Sequence, residues 1–129
     1  SFKGWKINLQ ICFDLRFPES ARNRIINQEE AAYDALFYVA NWPAKRIAHW
    51  DVLLRARAIE NQSYVVAVNR TGIDGNLIEY NGHSCVVDAN GEYLMTPREQ
   101  LDEIHLTTLS WEALNKLRKA LPFLKERRE

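Results

Sequence analysis

A cysteine lies at the end of a segment near the start of the chain in which apolar and polar residues alternate. Residues 6–13 alternate between apolar and polar types, which predicts a β-strand. Its apolar face holds Ile7, Leu9, Ile11 and Phe13. Cys12 lies on the polar face at the end of this strand, where its thiol could act as a nucleophile. Since only the thiolate attacks, and free cysteine has a pKa of about 8.5, that role requires a neighbouring base or cation.

The residue types alone are also compatible with two different roles for Cys12. Free cysteine is among the most buried residue types, so Cys12 could simply be a small packing residue. A Cys-His dyad is a further possibility, in which a histidine acts as the base. The chain has three histidines, and their spacing selects none of them: His49, His83 and His105. Cys85 lies inside a predicted hairpin strand and is expected to be a packing residue.

Polar and aromatic residues also follow a second predicted strand. Asn41 and Trp42 come directly after residues 35–40, and the carboxyl ends of strands are where ligands bind in open α/β sheets. The alternative is a strand-ending turn with an anchoring aromatic ring. Glu60 lies on a predicted helix three residues after Arg57, and this spacing favours an ion pair over a catalytic role.

The periodicity along the chain predicts the elements that must position these residues. Strands are predicted at 6–13, 35–40, 63–68 and 103–108, the second of them buried on both faces, with a hairpin over 85–95. Helices are predicted at 18–26, along a segment with Ile47, Trp50, Leu54 and Ala58 on one face, and at 111–120. Strands that alternate with helices indicate an α/β layered fold.

Composition restricts the functional classes. The 129 residues are enough for one domain, and the 17 basic and 17 acidic residues cancel, so no field favours nucleic acid or an anionic membrane. No apolar run approaches the length of a membrane span, and the first residues do not resemble a signal peptide. Two distant cysteines predict free thiols in a cytoplasmic protein, and no metal-ligand spacing is present.

Residues 12–19, Cys-Phe-Asp-Leu-Arg-Phe-Pro-Glu, resemble the nucleophile motif of the carbon–nitrogen hydrolase (nitrilase) superfamily. That motif reads Cys-Tyr-Asp-Leu-Arg-Phe-Pro-Glu, so only Phe13 departs from it. The likeness continues in order through residues 39–43, 56–66, 69–72, 82–88 and 90–92. It spans essentially the whole chain, and the Ala-Asn-Trp-Pro sequence at 40–43 looks most like the omega-amidase branch.

The resemblance implies an αββα sandwich with a catalytic glutamate, lysine and cysteine. Cys12 corresponds to the nucleophile, and the backbone N–H of Phe13 to part of the oxyanion hole. Arg16, Asn41 and Trp42 correspond to residues that line or support the acyl pocket. The implied reaction is hydrolysis of a small omega-amide of a dicarboxylic or keto acid, through a thioester on the cysteine, with release of ammonia. No cofactor is implied.

The family's glutamate and lysine lie upstream of the cysteine, in a half that these 129 residues do not include. Glu60 and Lys45 match other family features and do not replace them. The resemblance therefore implies the C-terminal half of one domain, completed by an N-terminal half and expected to form a homo-oligomer. Two alternatives remain: a non-catalytic remnant that serves assembly or binding, and another branch activity, such as a carbamoylase or a deaminated-glutathione amidase.

Overall fold

The computed structural model describes residues 1–99 and 102–128. The strands are β1 (Ile7–Ile11), β2 (Ile25–Asn27), β3 (Glu30–Ala31), β4 (Ala35–Ala40), β5 (Tyr64–Asn69), β6 (Thr71–Ile73), β7 (Glu79–Asn81), β8 (Cys85–Val87) and β9 (Tyr93–Met95). The helices are α1 (Ile47–Asn61) and α2 (Trp111–Ala120). Short 3-10 helices cover Cys12–Arg16, Pro18–Ala21, Ala44–Arg46 and Phe123–Lys125.

The main sheet has five strands in the order β1-β4-β5-β8-β9. β1, β4 and β5 are parallel, whereas β8 and β9 form the predicted antiparallel hairpin at one side. Ile11 pairs with Val39, and Val39 pairs with Val68, so the three parallel strands end at the same edge of the sheet. The architecture confirms the predicted α/β class, and this edge is where an α/β sheet binds ligands.

Helix α1 covers one face of the sheet. Its predicted apolar stripe is confirmed, because Trp50, Leu54 and Ala58 are fully buried and Ile47 packs beside them. From the sheet, the same cluster takes Leu36, Tyr38, Val65, Ala67, Cys85 and Val87. This packed layer is the core on which the strand ends are fixed.

The opposite face of the sheet is apolar and only partly covered. Helix α2 packs on its amino-end part, where Leu114 is buried with Ala35 and Tyr64. The carboxyl-end part, here called the open face, is exposed. Leu9, Ile11, Val39 and Val68 are between 54 and 75% exposed. The prediction that residues 35–40 are buried on both faces is confirmed at the start of the strand, where Ala35 and Leu36 are buried on opposite faces, and is wrong at Val39. Val39 points away from α1, and no layer formed by the described residues covers it.

The predicted helix at 18–26 is also wrong, since only a 3-10 turn over Pro18–Ala21 forms. Buried Asn23 explains the difference: its side-chain N–H groups donate to the carbonyls of Tyr33 and Asn61, each at 3.0 Å. These tertiary hydrogen bonds replace helical ones, and Ile25 then pairs with Ala31 in a two-stranded sheet. The first crossover between parallel strands consequently contains no α-helix, contrary to the prediction of two helices between three strands.

Two segments near the end of the chain behave differently. Residues 103–108, predicted as a strand, have no ladder partner among the described residues, and Ile104 and Leu106 are almost fully exposed. The helix predicted at 111–120 is confirmed as α2, and the Ser110 hydroxyl caps it by accepting a hydrogen bond from the N–H of Ala113 at 3.1 Å. Within the described ranges, no helix is long and apolar enough to cross a membrane.

Candidate active site

Cys12 occupies a strained turn at the end of β1. The strand ends at Ile11, two residues earlier than predicted, and Cys12 opens a 3-10 helix with φ of +38°. A positive φ in a residue with a Cβ is uncommon and persists only where surrounding contacts enforce it. The Asp14 carboxylate accepts a hydrogen bond from the N–H of Ile11 at 2.8 Å and so closes the turn.

The turn is also held from α1 by a buried arginine. Arg57 donates a hydrogen bond from its guanidinium to the carbonyl of Leu15 at 2.6 Å. Its other terminal nitrogen forms the predicted ion pair with Glu60 at 3.2 Å, which confirms the structural interpretation of Glu60. The helix that covers the sheet therefore also fixes the turn that carries Cys12, a role of Arg57 that the sequence analysis missed.

Cys12 opens into a shallow cleft of about 480 Å³ at the carboxyl ends of the parallel strands. The cleft is lined by Ile11, Cys12, Val39, Ala40, Asn41, Val68, Asn69 and Arg70. The Cys12 thiol lies 3.7 Å from the carbonyl oxygen of Asn41, to which it donates a weak hydrogen bond. The structure thus brings together two of the sequence-predicted site residues, Cys12 and Asn41.

The other predicted site residues lie around this cleft rather than in it. The Arg16 guanidinium stacks over the Trp42 ring, 4.7 Å from its centroid, and one of its terminal nitrogens lies 3.1 Å from Nδ1 of His49. Trp42 is buried, and its ring lies 5.6 Å from that of Trp50. The Phe13 side chain is exposed and does not line the cleft. Arg16 and Trp42 therefore support the wall of the cleft.

Asn69 and Arg70 are cleft residues to which the sequence analysis assigned no role. The Asn69 amide accepts a hydrogen bond from the N–H of Trp42 at 2.7 Å and donates to the carbonyls of Trp42 and Gly82, at 3.0 and 2.8 Å. It thereby joins the loop after β4 to the loop before β8. The same strand-end rule that selected Asn41 applies to residues 69 and 70, which stand at the end of β5.

No histidine is among the described residues that line the cleft. His49 contacts Arg16, His83 pairs with Asp51 at 3.0 Å, and His105 pairs with Glu103. The described part of the chain therefore offers no support for a Cys-His dyad. Within residues 1–99 and 102–128, no group of three or more His, Cys, Asp or Glu side chains could hold a metal ion.

The two cysteines are free thiols in contrasting environments. Cys12 is partly buried beside the cleft, whereas Cys85 is buried in the cluster under α1. Burial raises the pKa of Cys85 to about 12, with a smaller contribution of the same sign from the Asp51 carboxylate. Cys85 is therefore a protonated packing residue at neutral pH, as the sequence analysis predicted.

Comparisons with known proteins agree with this geometry. Residues 1–119 match the profile of the carbon-nitrogen hydrolases. The chain is 45% identical over 121 residues to the omega-amidase YafV of Escherichia coli (strain K12), an alignment that covers 94% of this chain and 45% of that protein. It is 44% identical over 120 residues to 2-oxoglutaramate amidase of Paenarthrobacter nicotinovorans, which covers 93% of this chain and 39% of that protein.

A solved structure extends the agreement to the fold. XC1258 from Xanthomonas campestris, a CN-hydrolase superfamily protein crystallised with an arsenic adduct in its active site, superposes with a TM-score of 0.95 at 44% identity. The alignment covers all of this chain and 49% of XC1258, so the chain spans about half of the proteins that it matches, or less. The matched residues and the shared α/β fold lead to one conclusion: the chain belongs to the carbon-nitrogen hydrolase family.

Proposed function

We propose that this chain supplies the nucleophile, Cys12, of an amidase that hydrolyses a small omega-amide acid. The observation that carries the proposal is the strained turn that presents the Cys12 thiol to a cleft where three parallel strands end. Similarity to proteins named omega-amidase and 2-oxoglutaramate amidase supports this class of substrate.

In the first half of the reaction, the Cys12 thiolate attacks the amide carbon, and the carbonyl electron pair moves onto oxygen. The N–H of Phe13, at the start of a 3-10 helix where amides lack a helical acceptor, is suited to stabilise that oxyanion. When the intermediate collapses, the C–N bond breaks and the nitrogen takes a proton from a general acid. Ammonia leaves, and the acyl group remains on Cys12 as a thioester.

In the second half, water attacks the thioester carbon and gives a proton to a general base. The C–S bond breaks, the carboxylic acid leaves, and the thiol is restored. The family resemblance assigns the acid–base role to a glutamate and the stabilisation of the tetrahedral intermediate to a lysine. Glu60 is not a substitute, because it pairs with Arg57 on α1.

We propose that a completing segment, on the same polypeptide or a separate one, carries this glutamate and lysine and covers the open face of the sheet. Two observations support it. The chain spans about half of its relatives or less. In addition, Ile11, Val39 and Val68 form an exposed apolar surface in the cleft, and Leu9 is exposed on the same face of the sheet. A sheet face of this kind is stabilised by a second layer.

The test is ammonia release from succinamate by this chain, alone and together with the completing segment. We expect activity only from the completed protein, and a loss of at least about 1,000-fold in Cys12→Ser because the attacking thiolate is removed. Cys85→Ala is the matched control and should keep near-normal kcat. Turnover by the isolated chain would contradict the need for completion, and an active Cys12→Ser variant would contradict the nucleophile.

The open face also favours a second candidate, a non-catalytic assembly module. Alkylation by iodoacetamide separates the two. An amidase nucleophile should be labelled rapidly and be protected by an omega-amide, whereas in an assembly module Cys12 should be labelled slowly and without protection.

Substrate profiling separates the branches of the family. We expect hydrolysis of omega-amides to exceed that of N-carbamoyl amino acids and of deaminated glutathione. A preference for either of the other two would replace the omega-amidase proposal by a carbamoylase or a deaminated-glutathione amidase, with the same nucleophile.

We also propose a cytoplasmic, homo-oligomeric enzyme. Two free thiols suit a reducing compartment. Val52 and Ile59 are exposed on α1 and offer apolar contacts for a second copy. Sedimentation of the completed protein should give a mass of two or more copies, and Val52→Lys should lower it.

A further inference from the structure

Among the described residues that line the cleft beside Cys12, one side chain carries a formal charge, that of Arg70. Besides the Cys12 thiol, the other described walls of the cleft are apolar or amide groups, including Val39 near the end of β4 and Val68 near the end of β5. A cation in an otherwise uncharged cleft is suited to an anionic group of a ligand. Cys12 and Arg70 thus provide two different chemical functions in one cavity.

Arg70 has an acidic neighbour, Asp74, but makes no direct ion pair with it. The pKa of the Asp74 carboxyl is lowered mainly by hydrogen bonds from the N–H of Ile78 and the Tyr80 hydroxyl, and only to a small extent by Arg70. Arg70 takes part in none of the ion pairs formed among residues 1–99 and 102–128. Its guanidinium stacks on the Tyr80 ring, 4.5 Å from the centroid, and its Nε makes only a long hydrogen bond of 3.4 Å to the carbonyl of Thr71. Stacking holds the plane of the guanidinium and leaves its edge free for a planar anion.

A hydrogen-bonded support fixes the ring beneath Arg70. The Tyr80 hydroxyl donates to the Asp74 carboxylate at 2.8 Å, and Asp74 also accepts the N–H groups of Asn76 and Ile78, at 2.8 and 3.1 Å. These bonds lie in the β6–β7 hairpin. The support orients Arg70 before any ligand arrives, which lowers the entropic cost of binding.

Arg16, the arginine that the sequence analysis selected for substrate binding, is placed differently. It stacks on buried Trp42, contacts His49, and is not among the cleft-lining residues. Of these two arginines, only Arg70 shares the cavity with Cys12.

We propose that Arg70 binds the carboxylate of an omega-amide acid whose amide carbon lies at Cys12. The inference rests on the proposed amidase function and names the residue that would give it specificity. Val39 and Val68 offer apolar contacts to the methylene groups between the two ends of such a substrate. A guanidinium pairs with a carboxylate through two parallel hydrogen bonds, which would fix the distance of the amide from the thiol.

The test compares two amides of similar length in the completed enzyme: succinamate, which has a carboxylate, and butyramide, which lacks it. Arg70→Gln should lower kcat/KM for succinamate by about 100-fold through loss of a charged hydrogen-bonded pair, and change butyramide by less than about twofold. Arg70→Lys should recover part of the loss, since it keeps the charge without the paired geometry.

Arg55→Gln is the matched control. Arg55 also stacks on a tyrosine, with 5.2 Å to the Tyr93 centroid, but it lies on α1 and does not line the cleft. We expect it to leave both substrates unchanged. An equal loss of both activities in Arg70→Gln would overturn the proposal, because it would indicate a structural role.

Protection of Cys12 from iodoacetamide distinguishes failure of this proposal from failure of the proposed function. If the wild type hydrolyses neither amide, the amidase proposal is wrong. Protection by succinate that is lost in Arg70→Gln but kept in Arg55→Gln would still support a carboxylate site. Protection that survives in Arg70→Gln, or no protection of the wild type, would overturn it.

Discussion

The two faces of the five-stranded sheet are both apolar, yet only one is packed along the length of its strands, because α2 covers only the amino-end part of the other. On the covered face, α1 buries Leu54 and Trp50 against β4 and β5. On the open face, Leu9 and Val39 remain exposed although their types are equally hydrophobic. The difference shows that the apolar residue types of a strand indicate that a packed layer covers it in the folded protein. Their burial in this structure shows which of those layers are formed by this chain.

The cleft beside Cys12 is formed by residues from both the covered face and the open face of the sheet. Its floor is made of open-face residues, Ile11, Val39 and Val68, while the turn that presents Cys12 is fixed from the covered side by Arg57. One face therefore positions Cys12, the proposed nucleophile, and the other is open to the substrate and the completing segment proposed above.

The largest expected effect separates the two cysteines. With a pKa of about 12 caused by burial, only about one Cys85 side chain in 10,000 is a thiolate at pH 8. Cys85 should therefore react with iodoacetamide at least about 1,000 times more slowly than Cys12, because its sulfur is also inaccessible. Mass spectrometry of time points would measure both rates, and comparable rates would show that the covered face opens readily.

The same group gives a pH dependence with a definite sign. The folded state keeps the Cys85 proton up to about pH 12, whereas an unfolded cysteine loses it near its ordinary value of 9.0. Stability from this group is complete below pH 9 and is lost as the pH rises toward 12, by up to about 1.4 kcal/mol per pH unit. Urea unfolding of the wild type and Cys85→Ala should show a steeper alkaline loss in the wild type, and parallel curves would contradict the burial.

The next effect compares one substitution on the two faces. Leu54→Ala should lower the free energy of unfolding by about 3 kcal/mol, since a fully buried leucine leaves a cavity. Leu9→Ala should change it by less than about 0.5 kcal/mol in this chain, because the side chain is exposed. In the completed protein, the cost of Leu9→Ala should rise toward that of Leu54→Ala. Urea midpoints measure both, and an unchanged cost in the completed protein would contradict coverage of the open face.

The predictions of burial from the sequence were correct where this chain supplies both contacting surfaces, and less accurate on the open face. The stripe on α1 was predictable because the surface that it contacts belongs to this chain, and Cys12 and Asn41 were predictable because a motif and a strand end coincide. The burial of β4 on both faces was predicted correctly at Ala35 and Leu36 and wrongly at Val39, because an apolar run does not indicate which polypeptide covers each of its residues. Residues 103–108 show the same effect: they alternate like a strand, but the described residues provide no ladder partner.

Other errors came from hydrogen bonds between distant residues. Pro18 and the residues after it have a helical pattern, but Asn23 bonds to Asn61 and Tyr33, which lie 38 and 10 positions away. No local pattern encodes such partners. Arg57 is similar, because its contact with Leu15 spans 42 positions and makes a helix residue part of the support of the site.

The smallest expected effect comes from substituting two glycines that have similar backbone conformations. Their comparison tests how tightly residues are packed around α1. Gly72 and Gly91 have φ of +94° and +84°, so alanine at either should cost about 1 kcal/mol from the backbone alone. A methyl group on Gly91 would also lie 2.7 Å from Cδ1 of Ile59 on α1, whereas nothing lies within 4 Å of one on Gly72.

Gly91→Ala should therefore cost more than Gly72→Ala, by up to about 1 kcal/mol, because Ile59 is half exposed and can turn aside at moderate cost. The double-mutant cycle with Ile59→Ala isolates that contact: in the Ile59→Ala background, Gly91→Ala should cost no more than Gly72→Ala. Urea unfolding of the six proteins provides the values. If the excess cost of Gly91→Ala persists without the Ile59 side chain, it arises from the turn itself. The contact between Ile59 and the β8–β9 hairpin would then contribute nothing to stability, and the packing of α1 would not extend beyond the sheet to the turn at Gly91.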